Sequence, residues 1–395
     1  MKEAMVIKKQ TSYFEVARDV WGLRDMIVNI YMVRNPQDGS WVLVDAGLKT
    51  SAPKIRKMAA QLFGEFKRPS AIVLTHGHFD HVGSLKTLAE EWDVPVYAHR
   101  MELPYLTGES SYPPPDPSVG GGMMSWMAPL YPKKPIDLSG RVEALPENGS
   151  IPGLEGWKVI PTPGHSPGHV SLFRTDDRTL IAGDAFVTTQ QASALAVMFQ
   201  TPQLTGPPPY FTCDWEAAAR SVAKLESLQP EVVATGHGKP MRGREMRERL
   251  RQLVNHFREE AVPSRGRYVH QAAEADEHGV TFVPPRDFNV NRVALGLGLF
   301  ALAAAGAYFL YARRRNDSLL SRLPDIKEQA MDLLTKKASS YKSTAEDYLS
   351  DPQHVVGKKA KPYKREAMDY LDDAKHLVGE VAAFVRERVP TKAFR

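Results

Sequence analysis

The sequence is nearly without cysteine. It contains one, Cys213, in 395 residues. A single cysteine cannot close a disulfide within the chain, and zinc sites built on cysteine need two or more thiolates. A disulfide-stapled fold and a thiolate metal site are therefore both excluded. If the chain binds a metal, the ligands must be histidine, aspartate or glutamate side chains.

Most of the chain also lacks net charge. The whole sequence carries 51 Lys+Arg and 46 Asp+Glu, a net of +5, and the segment Arg313–Arg395 holds 18 and 13 of them. The first 312 residues are left with 33 basic and 33 acidic side chains, which cancel. This part therefore lacks the positive surface that attracts nucleic acid, and we expect no nucleic-acid partner.

The start of the sequence has no apolar run of the kind found in secretory signals, so we expect the first region to fold in the cytoplasm. One long uncharged run does occur, the 20 residues 293–312, and three arginines follow it. This length predicts a transmembrane helix, with a buried core helix as the alternative. We expect a membrane-anchored protein whose first domain faces the cytoplasm. The arginines favour a cytoplasmic tail instead, so the side of the tail stays open.

The first 262 residues alternate between apolar runs typical of strands and amphipathic segments typical of helices. This alternation predicts an α/β layered domain. Predicted strands are 28–34, 41–45, 71–74, 94–98, 157–161, 179–182 and 232–235, and predicted helices are 52–63, 83–91, 215–228 and 244–260. Residues 263–292 are predicted to be a linker or domain edge. Residues 313–395 are a basic tail predicted to form two amphipathic helices, whose apolar faces would either lie on lipid or pack together.

Residues 103–135 interrupt this alternation with clustered prolines and glycines. The apolar cluster Met123, Met124, Trp126 and Met127 lies within them. Long irregular loops often carry function. We consider two interpretations, a flap that contacts an apolar substrate group and a loop packed on the outside of the core.

The densest group of metal-ligand side chains lies between Thr75 and Gly83, where the sequence reads THGHFDHVG. It places three histidines and an aspartate directly after the predicted strand 71–74. Three later glycine turns, each following a predicted strand, also carry a histidine or an aspartate. A histidine-rich surface loop is the alternative, but imidazole and carboxylate groups gathered at strand ends are typical of a metal site. The candidates are His76, His78, Asp80, His81, His165, Asp184 and His237.

The order of these motifs over residues 20–260 resembles the metallo-β-lactamase superfamily. The resemblance implies an αββα sandwich with two divalent metal ions at one edge. It implies that His76, His78 and His165 hold the first ion. The second ion would be held by Asp80, His81 and His237, and Asp184 would bridge both. Zinc is the expected metal, and iron and manganese also accept such ligands.

The resemblance also implies a reaction, in which a hydroxide shared by the two ions attacks a small ester, thioester or lactone. Asp80 and Asp184 are the carboxylates expected at the reacting centre. Asp45 is expected to orient a ligand histidine through its ring N–H. His169 either assists a ligand, faces the substrate or is an ordinary structural histidine. The motif at 162–169, TPGHSPGH, is most similar to glyoxalase II and acyl-homoserine lactonases.

One alternative is not enzymatic. The apolar run and the tail could belong to a membrane-associated scaffold or envelope protein with a vestigial hydrolase domain. A vestigial site should have lost ligands, and all seven candidates are present. We therefore expect an enzyme acting on a small molecule.

Overall fold

A computed structural model describes residues 13–132 and 135–285 of the chain. The chain divides into two compact units, Met1–Asp287 and Phe288–Arg395, and every described residue belongs to the first. The predicted transmembrane helix at 293–312 and the tail helices lie outside the described residues. Within the described ranges, no helix is long and apolar enough to cross a membrane.

The strands of the described part form two large sheets and one hairpin. They are β1 (Phe14–Ala17), β2 (Val20–Asp25), β3 (Val28–Arg34), β4 (Trp41–Val44), β5 (Ala71–Val73), β6 (Val96–Ala98), β7 (Val142–Ala144), β8 (Trp157–Pro161), β9 (Val170–Arg174), β10 (Thr179–Gly183), β11 (Val232–Thr235), β12 (Met241–Arg242), β13 (Glu274–Asp276) and β14 (Gly279–Phe282). The first sheet runs from β1 to β7 in chain order, and the second has the order β12-β11-β10-β9-β8. Strands β4 to β7 are parallel, as are β10 and β11.

The described part of the chain also contains nine α-helices. They are α1 (Ala52–Phe63), α2 (Phe79–Val82), α3 (Leu85–Trp92), α4 (Leu103–Leu106), α5 (Met123–Trp126), α6 (Ala194–Phe199), α7 (Trp215–Ser227), α8 (Gly243–Asn255) and α9 (Phe257–Glu260). The predicted helix at 83–91 corresponds to α3, which begins at Leu85 and ends at Trp92. The short α2 begins inside the histidine-rich loop and places its aspartate and third histidine.

Strand β4 shows how the layers are built. Its side chains alternate between the two faces of the first sheet, as strand geometry requires. Trp41 and Leu43 join an apolar cluster with α1 and α3, whereas Val42 and Val44 face the second sheet. A third apolar cluster joins the far side of the second sheet to α7 and α8. The order helix, sheet, sheet, helix confirms the predicted αββα sandwich.

Main-chain and side-chain hydrogen bonds join the two sheets at one edge. Val170 N–H of β9 donates to the Thr75 carbonyl beyond β5 at 2.9 Å. Asn29 on β3 donates its main-chain N–H to Gly236 O at 2.7 Å and its side-chain amide to Thr235 O at 2.9 Å. The loop after β5 is therefore fixed to the second sheet and the loop after β11 to the first, at the edge where the predicted ligands lie.

The segment predicted to begin a linker or domain edge packs on the domain as far as it is described. Tyr268 is buried and donates its hydroxyl to the Pro114 carbonyl at 2.6 Å. Strands β13 and β14 pair as an antiparallel hairpin, and Val280 is buried. Residues 263–285 thus extend the domain beyond residue 262.

Candidate metal centre

The histidine-rich loop leaves the end of β5 and turns at once into α2. The residue that ends α2, Gly83, must be a glycine, because a Cβ there would lie 2.3 Å from the Lys49 main-chain nitrogen. Gly83 N–H donates to Gly47 O at 2.7 Å, and Ala46 N–H donates to the His81 carbonyl at 2.6 Å. The loop after β4 thereby holds α2 with its polar side chains directed toward the second sheet.

The structure brings all seven predicted ligands together, and all are buried. They form three overlapping groups, in each of which the possible ligand atoms lie within 4.8 Å of one another. The groups are His76, His78 and His165; His76, His81 and Asp184; and Asp80, His81 and His237. The first and third groups coincide with the two ligand sets that the resemblance implied.

Asp184 lies between these two sets. Its Oδ2 is 3.4 Å from His165 Nε2, 3.7 Å from His81 Nε2 and 3.0 Å from His237 Nε2. One carboxylate therefore reaches histidines of both groups, as the predicted bridging role requires. Asp80 Oδ2 lies 3.6 Å from His237 Nε2 on the other side.

Asp45 orients His81. Its Oδ2 accepts the His81 Nδ1–H and the Thr75 hydroxyl, each at 2.8 Å, and its Oδ1 accepts the Thr75 main-chain N–H at 2.8 Å. A carboxylate accepts only, so the proton lies on Nδ1 and the Nε2 lone pair points into the centre. Asp45 has a φ of 62°, a left-handed conformation that Asp and Asn tolerate better than most residues.

His169, the other residue predicted beside the ligands, holds the main chain of Asp184. Its Nε2 accepts the Asp184 N–H at 2.9 Å, so Nδ1 carries the proton and donates to Thr162 Oγ1 at 2.8 Å. Both ring nitrogens are engaged within the protein. Burial lowers the pKa of His169 to about 4, in keeping with a neutral ring.

The polar atoms at the centre fit a divalent metal. Among the described residues, His76 Nε2, His81 Nε2 and Asp184 Oδ1 are buried without a hydrogen-bond partner. Such atoms are costly unless something satisfies them. Burial lowers the pKa of His76 far below its usual range and that of His78 to about 3, which favours the neutral ring that coordinates metals.

Sequence reasoning missed the aromatic surroundings of His78. The rings of Tyr112 and Phe211 lie 4.5 Å and 4.6 Å from the His78 ring. Beside them is a cavity of about 450 Å³ with a largely apolar lining. The residues lining it include Leu48, His78, Phe79, Val82, Tyr105, Tyr112, Pro113, Ile136 and Phe211.

The predicted flap residues lie against the loop that contacts His237. Helix α5 is held there by a hydrogen bond from Met124 N–H to Ala192 O at 3.2 Å. The neighbouring Gln191 has its Nε2 3.2 Å from His237 Nδ1. Tyr131 donates its hydroxyl to Met124 O at 3.0 Å and stacks on Phe79 at 5.4 Å. These contacts link the segment to both the centre and the cavity.

The chain is similar in sequence to several known proteins. The chain is 49% identical over 243 residues to the probable metallo-hydrolase YflN of Bacillus subtilis (strain 168), covering 61% of this chain and 92% of the relative. It is 32% identical to the probable metallo-hydrolase YybB of the same organism, covering 51% and 78%. A solved structure, TTHA1623 in a di-iron-bound form, is 30% identical, with a TM-score of 0.37 and coverage of 56% and 92%.

The profile of the family described as the metallo-beta-lactamase superfamily matches residues 23–237. This range begins in β2 and ends at the last predicted ligand. It includes all seven buried residues of the centre. The chain belongs to the metallo-beta-lactamase superfamily.

Proposed function

We propose that this protein is a hydrolase that uses two divalent metal ions and acts on a small ester, thioester or lactone with an apolar acyl group. The observation that carries the proposal is the convergence of seven buried ligand side chains with partnerless nitrogen and oxygen atoms. Membership of a superfamily with probable metallo-hydrolases among the relatives supports the reaction class.

His76, His78 and His165 would hold one ion, and Asp80, His81 and His237 the other, with Asp184 shared. Bound ions of this kind would lower the pKa of water, which would supply a hydroxide nucleophile at neutral pH. They would also polarise the carbonyl of the substrate. Zinc is the metal we propose first, and iron or manganese would fit the same ligands.

The protein's own groups perform the positioning. Asp45 keeps the His81 lone pair directed into the centre, and His169 fixes the main chain of Asp184. The proposed reaction needs no serine or cysteine nucleophile because water would supply it. Cys213 is buried against the Gly164 carbonyl. The chain's contribution is therefore a set of rigid ligands beside an apolar binding space.

The cavity beside His78 supports the substrate class. Its volume of about 450 Å³ is within the usual range for small-molecule sites, and its walls are mostly aromatic and aliphatic. An acyl chain in this space would lie against Phe79 and Phe211, next to the histidine cluster. The motif at 162–169 favours a thioester or lactone, and ester hydrolysis fits the same chemistry.

Purification of the full chain under metal-replete expression tests the proposal. We expect about two metal ions per chain by elemental analysis, and hydrolysis of acyl thioesters, esters or lactones that stops when the metal is chelated. A metal-free protein would contradict the proposal and favour the alternative of a scaffold with a vestigial hydrolase domain. A metal-loaded protein inactive on all three substrate classes would overturn the substrate assignment.

We further propose that residues 293–312 attach the protein to a membrane with the hydrolase domain in the cytoplasm. The length and lack of charge of this run support the proposal. Protease treatment of intact spheroplasts should leave the hydrolase domain uncut. A full chain that stays in the supernatant of detergent-free lysates would refute the attachment.

A further inference from the structure

Glu102 is a fully buried carboxylate that belongs to none of the three ligand groups. It lies at the end of a single helical turn, Arg100–Glu102, that follows β6. An isolated charge is expensive to bury, so a buried glutamate must be compensated by hydrogen bonds. Here the compensation comes from two separate ligand loops.

Each carboxylate oxygen of Glu102 holds one loop. Oε2 accepts the Gly77 main-chain N–H at 2.9 Å and the hydroxyl of Tyr112. Oε1 accepts the Gly168 main-chain N–H and the Ser166 hydroxyl, each at 2.8 Å. An ionised carboxylate has about four lone-pair sites, and four donors occupy them.

Both loops supply ligands to the three-histidine group. Gly77 lies between His76 and His78, and Ser166 and Gly168 follow His165 within three residues. Asp80, His81 and His237, by contrast, are positioned by α2, by Asp45 and by the loop after β11. Glu102 therefore joins the two segments that must meet for the first ligand group and makes no hydrogen bond to the residues of the second.

The backbones of both loops pack closely around the Glu102 side chain and its partner Tyr112. A Cβ at position 168 would lie 2.8 Å from Glu102 Cγ, and one at position 77 would lie 2.5 Å from the Tyr112 hydroxyl. Glycine at both positions lets the loop backbones approach the carboxylate closely. The close fit makes the distance between the two loops depend on Glu102.

We propose that Glu102 is the positioning residue of the three-histidine metal site, acting by holding the loops of His76–His78 and His165 at a fixed separation. The inference rests on the proposed two-metal function. A glutamine at 102 keeps one acceptor oxygen but turns a donor amide toward the N–H of the other loop. One loop would then be released and the other retained.

The test uses zinc affinities of the full chain, measured by competition with a chromophoric chelator after metal removal. Glu102→Gln should lower the binding affinity for one of the two zinc ions by about 10–100-fold, because loss of a group that orients a metal ligand usually has an effect of this size. Two backgrounds assign the site. In the Asp80→Ala background, which keeps the three histidines, adding Glu102→Gln should lower the affinity of the three-histidine site for zinc. In the His78→Ala background, adding Glu102→Gln should leave the affinity of the other site unchanged.

The matched control is Asp116→Asn. Asp116 is also a buried carboxylate that accepts main-chain N–H groups of two segments, those of Ser118 and Arg267. It should leave both zinc affinities unchanged even if the metal-free protein becomes less stable. If Glu102→Gln does not fold, Ser166→Ala and Tyr112→Phe, which each remove one donor, should show the same dependence on background with smaller effects.

Equal weakening in the two backgrounds, or none in Asp80→Ala, would overturn the role of Glu102 while leaving the two-metal function intact. A wild-type chain that binds no zinc would instead refute the proposed function itself. A variant whose only defect is a lower melting temperature of the metal-free protein would show that Glu102 is merely structural.

Discussion

The hydrogen bonds of Asp45 give a direct test of how the second ligand group is built. In Asp45→Asn the side chain keeps one acceptor oxygen and gains a donor amide. If the oxygen stays on the Thr75 N–H, the amide faces His81 Nδ1. The imidazole must then accept at Nδ1 and carry its proton on Nε2, where it can no longer bind a metal.

The opposite orientation of the amide has its own cost. It would return an acceptor to His81 but leave the buried Thr75 N–H without a partner, at a cost of about 1–3 kcal/mol. Either way the ligand geometry loses support. Loss of a group that orients a metal ligand typically lowers affinity about 10–100-fold. This corresponds to about 1.4–2.7 kcal/mol of zinc binding free energy.

Asparagine is the informative substitution because position 45 has a positive φ. Asp and Asn both adopt this conformation readily, whereas alanine would add backbone strain of about 1–2 kcal/mol. The assay is zinc competition on the full chain, with thermal unfolding of the metal-free protein alongside. Unchanged affinity for both zinc ions, with an unchanged melting temperature, would refute the argument that Asp45 selects the tautomer of His81.

Four further outcomes follow from the described contacts. Asp184→Ala should reduce bound metal below two ions per chain by elemental analysis and abolish hydrolysis; retention of both ions would contradict its shared position. Gly236→Ala should also expel metal, because the new Cβ would lie 2.0 Å from Asp184 Oδ1; normal metal content would show that the loop yields. Phe79→Ala should lower kcat/KM by about tenfold or more for esters of long acyl chains, since burying one such ring is worth about 1.5–3 kcal/mol, and should spare acetyl esters. Cys213 is buried and burial raises its thiol pKa, so iodoacetamide should label it only on unfolding, and rapid labelling of the native protein would contradict its burial.

The metal-ligand positions could be predicted because their signals are local. Each lies in a glycine turn after a short apolar run, and the ends of parallel strands meet at one edge of a sheet. The structure brings His76, Asp184 and His237 together where strand ends of the two sheets meet. Helix α1 and strand β3 were predicted with the bounds that the structure shows, since α1 has apolar residues at helical spacing and β3 is a short, largely apolar run.

The remaining features depend on contacts between distant segments. Glu102 follows a strand like the ligands do, but its partners Gly77 and Gly168 are 25 and 66 residues away, and no sequence pattern pairs them. The role of His169 depends on which ring nitrogen meets which neighbour. Strands β7 and β9 and the hairpin of β13 and β14 were not predicted either, because these strands are too short or too weakly patterned to identify from the sequence alone.

The spacing of the ligands along the chain has a consequence for biosynthesis. The first group is complete once His165 has been made, whereas the second waits for His237, 72 residues later. At about 5–20 residues per second this interval is roughly 4–14 s. Strand β11, which fixes His237 against Asn29, is also among the last strands of its sheet to leave the ribosome. The ligands of the two halves are therefore synthesised in sequence, and a nascent chain passes through a stage in which only the first ligand set has been made.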